Sequence, residues 1–382
     1  RSITRYNIVD KVQKFDGARG AFINAVKQKF TVTDDNMVKT VFGQPWTFVD
    51  SWGLYISKNM LINPEMTLSQ QERLVADGTK PLPIYTAVTT DARSRDWFEF
   101  TPFEIGSINR NVYIPSWSFG RYFISGVSQD FAPEQSLGYL LGIFGSAMGA
   151  RFKDVAAGAG AGNLTAAEWS FTSGTVPNFF FGLKDVPGNT TDMLELVDAG
   201  ADFNLPYPPI SGLNPDRKAD IIIFVDASGE FGQDIGGEIR KLVQWQKQIG
   251  GDVKLPNKLD SLSRVTQGQM PKMREHRVEV FPGDARNGVP TVIYIPMALD
   301  FETAEGFSFS DEQRRLIEIF RREHGDLLRT YTNENLMNQY LTSTFSYTKA
   351  QSNFLLDLMT LNIQISTQKI RDCIQRYLES MP

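Results

Sequence analysis

The segment Val197-Asp198-Ala199-Gly200-Ala201-Asp202-Phe203-Asn204-Leu205-Pro206-Tyr207-Pro208-Pro209 sets a carboxylate in a position where it could do chemistry. Asp198 ends an apolar stretch, and the small residues after it let the backbone turn tightly beside it. Pro208 and Pro209 then stiffen the loop. Two uses of such a carboxylate fit the pattern. It can cap the amides of a strand-ending turn. It can also be presented to a reacting group at the end of a central strand, the edge where open α/β sheets place their sites. Other reactive residue types narrow the field. The two histidines, His276 and His324, exclude most histidine-rich zinc sites and leave little room for a Ser-His-Asp triad. Each follows a glutamate without zinc-protease spacing, which reads as a surface or salt-bridging role. A single cysteine, Cys373, excludes an internal disulfide and points to a reducing compartment.

These groups must be held by a fold, and the composition supports one. Of 382 residues, 41% are hydrophobic and 12% aromatic, enough for a packed core, and the 22% that are charged are too few for disorder. A net charge of −5 with scattered basic residues shows no stripe for phosphates, so nucleic acid is not an expected partner. No run of about 18 apolar residues is present, and the N-terminus lacks the apolar region of a signal peptide. Helical spacing runs from Ile8 to Phe30, from Trp46 to Met60 and from Leu137 to Met148. Ile84–Val88, Trp97–Phe100, Val278–Phe281 and Thr291–Ile295 read as strands, and Ile221–Val225 as a central parallel strand covered on both faces. Ser310 and Asp311 open a helical C-terminal region. Strands mixed with helices throughout give an α/β class. The run Val155–Gly162 reads as a flexible linker: Asn163 stands where a dinucleotide loop needs its third glycine, and no strand precedes it. Phe179, Phe180 and Phe181 fit either a core cluster or a lipid-contacting rim.

Several segments, in order along most of the chain, resemble the cytosolic phospholipase A2 and lysophospholipase family, relatives of the patatins. Asp198-Ala199-Gly200 resembles its Asp-x-Gly signature. Trp97-Phe98-Glu99-Phe100-Thr101-Pro102-Phe103-Glu104-Ile105-Gly106 resembles its Trp-x-Glu-Phe-x-Pro-x-Glu-x-Gly segment. Phe119-Gly120 and then Gly138 to Ala147 resemble the start of its cap, and Asp220 to Ser228 the strand that follows the aspartate. Thr291 to Ala298 and Tyr347 to Asn362 look like its C-terminal elements.

The resemblance implies a phospholipase A2 or lysophospholipase that hydrolyses glycerophospholipid acyl esters through a Ser-Asp dyad, a chemistry that needs no histidine. Asp198 would be the base, with Gly200 and Asn204 shaping its turn and Thr86 lining the cleft. The implied fold is α/β, with a central, mostly parallel sheet flanked by helices in three layers. All of 1–382 would be the C-terminal portion of one catalytic domain, with a cap or lid inserted over 121–196. That cap makes lipid contact the expected role of Phe179, Phe180 and Phe181. No serine lies in the family's Gly-x-Ser-x-Gly elbow; Ser118, Ser128 and Ser228 come nearest and fail. The nucleophile is therefore expected on an upstream segment or separate chain, a partner this sequence needs. No cofactor and no metal are expected. The resemblance places the protein in the cytoplasm, peripherally on a membrane that presents phospholipid or lysophospholipid. A second reading is a phospholipase-like subunit without a nucleophile, structural or lipid-binding.

Overall fold

The computed structural model describes residues 39, 41–45, 47–63, 65–91, 95–146, 173–228, 236–250, 253–259, 278–297, 299, 309–332, 335–336, 339–340 and 347–381. The helical spacing expected over Ile8–Phe30, the glycine run Val155–Gly162 and His276 lie outside them. The described residues divide into two compact units, one ending at Asp202 and the next beginning at Phe203.

The first unit is built on six strands: β1 (Tyr85–Thr89), β2 (Trp97–Phe100), β3 (Glu104–Ser107), β4 (Val112–Pro115), β7 (Gly174–Pro177) and β8 (Met193–Asp198). Their order is β4-β3-β2-β1-β8-β7, and every pairing is antiparallel. The expected α/β class holds, while a mostly parallel central sheet is not confirmed by these strands. The reason lies in the connections. Three residues join β2 to β3 and four join β3 to β4, and links so short can only return a strand antiparallel. A small hairpin, β5 (Phe123–Ile124) and β6 (Val127–Ser128), turns at Ser125 and Gly126, both in the left-handed region.

The register puts Ala87, Phe98, Phe100, Ile105, Val176, Leu194 and Leu196 on one face, where they form a core with two helices. These helices are α1 (Phe48–Met60) and α2 (Leu137–Phe144). They approach so closely that a Cβ at Gly142 would collide with the Val49 carbonyl, and one at Gly53 with the Gly138 carbonyl. A buried ion pair ties the helices to the sheet. Lys39 Nζ lies 2.8 Å from Asp50 Oδ1 and donates to the Tyr139 hydroxyl and the Thr175 carbonyl. Burial pushes the Lys39 ammonium down, against the pull of Asp50. Phe179 and Phe180 belong to this core, at 2% and 0% exposure, with ring centroids 6.3 and 5.8 Å from that of Phe98. Their expected lipid contact is thereby corrected: buried rings surrounded by Phe98 and Arg110 are packing residues. Phe181 is half-buried. Of the 121–196 stretch expected as a cap, α2, β7 and β8 are part of the sheet and its core.

The second unit holds a three-stranded sheet, β10-β11-β9, from β9 (Ile221–Asp226), β10 (Glu279–Phe281) and β11 (Thr291–Pro296). Here β9 and β11 are parallel, as the crossover containing helix α3 (Gly237–Ile249) allows. β11 is buried along its whole length. β9 is an edge strand among the described residues, and its outer face leaves Ile223 50% and Val225 55% exposed. The expected cover on both faces is therefore present on one. Helices α4 (Asp311–Leu328) and α5 (Lys349–Glu379), opened by capping boxes at Ser310 and Thr348, pack around Phe320, Phe354 and Leu358. No helix among the described residues is long and apolar enough to cross a membrane.

Candidate active site

Asp198 is the last residue of β8, followed by a single 3₁₀ turn, Ala199–Ala201. Its partner across β1 is Ala87, whose small side chain crowds the carboxylate least of the sheet neighbours. The carboxylate bends back on its own turn, and Oδ1 accepts the Gly200 amide at 2.8 Å. The backbone amide of Asp198 donates to Ser146 Oγ at 3.0 Å, just beyond the reach of β7. Ser146 Oγ in turn donates to the Ile143 carbonyl of α2 at 2.8 Å. The turn closes with the Asp202 amide donating to the Ala199 carbonyl, and Asp202 Oδ2 accepts the indole N–H of buried Trp97 at 2.7 Å. The capping use of Asp198 is thus present, and its side chain stays half-exposed at the strand's end.

The structure brings Gly200 to Asp198 and sets Thr86 on the other face of the sheet. Thr86 lies opposite Glu99, on the face of β1 away from Ala87 and Asp198. Asn204 falls in the second unit with its side chain exposed, and its amide donates to Glu238 Oε2 at 2.5 Å. Residue types alone do not single out Ser146 or the Trp97–Asp202 pair. Ser146 follows a glycine at a helix end, and its partner lies 52 positions downstream, so no local pattern announces it.

The three serines nearest the elbow pattern have structural roles. Ser118 Oγ donates to the Pro115 carbonyl and Ser128 Oγ to the Asp130 carbonyl, while the Ser228 amide donates to Asp226 Oδ1. A serine hydroxyl does meet a carboxylate elsewhere: Ser107 Oγ lies 2.8 Å from Asp96 Oδ1. Both residues are buried, and Arg110 Nε lies 2.6 Å from Asp96 Oδ2. Burial pushes the Asp96 carboxyl up, against the opposing effect of Arg110. With Asp96 and Ser107 both buried, the group fastens the ends of β2 and β3. In the second unit, the Tyr294 hydroxyl donates to Asp226 Oδ2 at 2.5 Å, which satisfies another buried carboxylate at a strand end. Glu323, His324 and Asp357 bring potential ligand atoms within 4.8 Å of one another. There the buried His324 has Nε2 2.9 Å from Asp357 Oδ2, and its ring packs against the Phe320 and Phe354 rings.

Residues 17–185 match the family profile of the lysophospholipase catalytic domain. Cytosolic phospholipase A2 zeta of Mus musculus is 34% identical over 134 residues, 33% of this chain and 16% of that protein. Cytosolic phospholipase A2 gamma of Homo sapiens is 31% identical over 150 residues, 35% of this chain and 28% of that protein. The solved structure of human GIVD cytosolic phospholipase A2 superposes with a TM-score of 0.66 at 21% identity, over 90% of this chain and 48% of that one. The likeness in fold therefore spans about half the length of that structure, and the sequence matches span less than a third of either curated relative.

Proposed function

This chain is a member of the cytosolic phospholipase A2-like family, and from that premise we propose that it carries the base of a lipid acyl hydrolase. The observation that supports this most directly is the setting of Asp198. Its half-exposed carboxylate stands at the end of β8, where it accepts the Gly200 amide of the turn that follows. Asp198 would accept the proton of a serine hydroxyl as that hydroxyl attacks an acyl-ester carbonyl of a phospholipid or lysophospholipid. The same carboxylate would then help water release the fatty acid from the acyl-enzyme. No Gly-x-Ser-x-Gly occurs in these 382 residues, so the nucleophile belongs to upstream sequence or a separate chain. The outer face of β9 supports such a partner, since β-branched and aliphatic residues of that kind are normally covered. The cap assigned to 121–196 shares α2, β7 and β8 with the sheet, so a moving lid would lie outside those elements. The protein would work in the cytoplasm, peripherally bound to its lipid surface.

The test is fluorophosphonate labelling of the full-length protein with peptide mapping, beside phospholipid hydrolysis by wild type and Asp198→Asn. A label on an upstream serine and a loss of about 10²–10⁴ in kcat for the variant are expected, the usual worth of a general base. Retained turnover in Asp198→Asn sinks the assignment. Absence of any label from the complete protein favours the non-catalytic, lipid-binding subunit.

A further inference from the structure

We propose that Trp97 and Asp202 form a clamp that positions the Asp198 carboxylate; the inference rests on the reading of Asp198 as the base. The register sets Trp97 opposite Val88 and Val88 opposite Val197, so these three side chains lie in a row on the sheet face away from α1 and α2. Asp198, one residue on, falls on the helix-covered face with Ala87 and Leu196. The turn Ala199–Ala201 therefore carries the chain around the end of β8, from one face of the sheet to the other.

Each side of this passage has its own anchor. On the helix side, Ser146 Oγ takes the Asp198 amide. On the far side, Asp202 Oδ2 takes the Trp97 indole N–H at 2.7 Å. Two further hydrogen bonds, Gly200 N–H to Asp198 Oδ1 and Asp202 N–H to the Ala199 carbonyl, lie within the turn and hold its shape. The two outer anchors tie that turn to the sheet and so help set where the carboxylate points.

The indole is itself firmly placed. Trp97 is fully buried, and the residue before it is held three times over. The Asp96 amide donates to Thr89 Oγ1 at 2.9 Å, and the Asp96 carboxylate takes Ser107 and Arg110. A hydrogen bond from a buried N–H to a carboxylate oxygen is costly to remove, because the donor loses that partner inside the protein. An apolar residue at 202 would end the turn equally well but could not grip the indole. Asp202 touches no reacting atom in this scheme and acts through Asp198 as a positioning residue.

The test uses the full-length protein and the variants Asp202→Ala, Asp202→Asn, Trp97→Phe and the double variant Trp97→Phe/Asp202→Ala. The readouts are the rate at which a fluorophosphonate phosphonylates the serine with loss of fluoride, and amide hydrogen exchange over residues 198–202. Asp202→Ala and Trp97→Phe are each expected to slow this labelling about tenfold or more, since a small misplacement of a reacting group is costly. The double variant should be no slower than the worse single one, because both remove the same bond. Asp202→Asn keeps an oxygen for the indole and should recover most of the rate, which a loss of charge alone would not permit. Exchange at the Gly200 and Asp202 amides should quicken in Asp202→Ala while that of β1 is unchanged. Asp202→Ser replaces Asp202→Ala if the alanine variant does not fold. A labelled wild type with unaffected labelling rates in the single variants, or with additive losses in the double, overturns the clamp alone. A wild type that takes no label overturns the assignment of Asp198 as base and the positioning role with it.

Discussion

Replacing Phe180 with alanine separates a packing role from a lipid-contacting one. The ring is fully buried, 5.8 Å between centroids from Phe98 and 4.3 Å from Phe179, and the Arg110 guanidinium carbon sits 4.7 Å from its centre. Truncating a buried phenylalanine to alanine costs about 3–5 kcal/mol, transfer and cavity effects together. The two ring pairs and the cation over the face place this site in the upper half of that range. A loss of about 4 kcal/mol is expected, which for a folded unit of this size lowers Tm by about 8–16 °C. Phe131, 89% exposed, is the control, and Phe131→Ala should stay within about 0.5 kcal/mol of wild type. Urea unfolding followed by tryptophan fluorescence measures both, and co-sedimentation with phospholipid vesicles is run on the same samples. An unfolding midpoint unchanged in Phe180→Ala, together with lost vesicle binding, would refute the packing argument and restore the lipid-contact reading.

Two further outcomes follow from the same structure. If upstream sequence covers β9, as proposed, Ile223→Glu with Val225→Glu should cost these 382 residues little, since both side chains already face outward, yet destabilise a protein that includes that sequence in thermal unfolding. Equal effects on both would show that nothing upstream covers β9. Asp96 bears on acid stability: its carboxyl is pushed up from 3.8 chiefly by burial, against the opposing effect of Arg110. Between 3.8 and that raised value the folded state keeps a proton that the unfolded chain releases. The stabilisation from this proton is full below 3.8 and is lost as pH rises through the folded value. Asp96→Asn should flatten that part of the curve of unfolding free energy against pH, measured by urea titration from about pH 3.5 to 7. A slope identical in variant and wild type would contradict it.

Much of the architecture was legible from the residues because it depends on short-range pattern. Periodic apolar residues marked α1 near Trp46–Met60 and α2 from Leu137, and β-branched runs marked β1, β9, β10 and β11. Ser310 was read as a helix start and caps α4. Strands β3 and β4 escaped notice because each has four residues and carries Gly106 or Pro115, which weaken a strand signal. The direction of pairing in the first sheet is not legible in the sequence for a different reason. Whether two strands run parallel depends on which become neighbours, and β8 joins β1 across more than a hundred residues.

The same division holds at the site. From sequence alone came a carboxylate at a strand's end, the small residues that let the chain turn after it and, through family resemblance, its expected role as a base. Tertiary structure decided what surrounds it. Register assigns Thr86 to the opposite face and sets Ala87 beside Asp198, because side chains alternate along every strand. Folding also brings Ser146 and Trp97, 52 and 101 positions upstream of Asp198, to the two sides of one turn. It turns Phe179 and Phe180 inward as well, since burying two rings against Phe98 removes more apolar surface from water than leaving them at a rim. Residue type and local spacing state what a group can do; its partners are chosen by contacts between distant segments, and only the folded chain makes those.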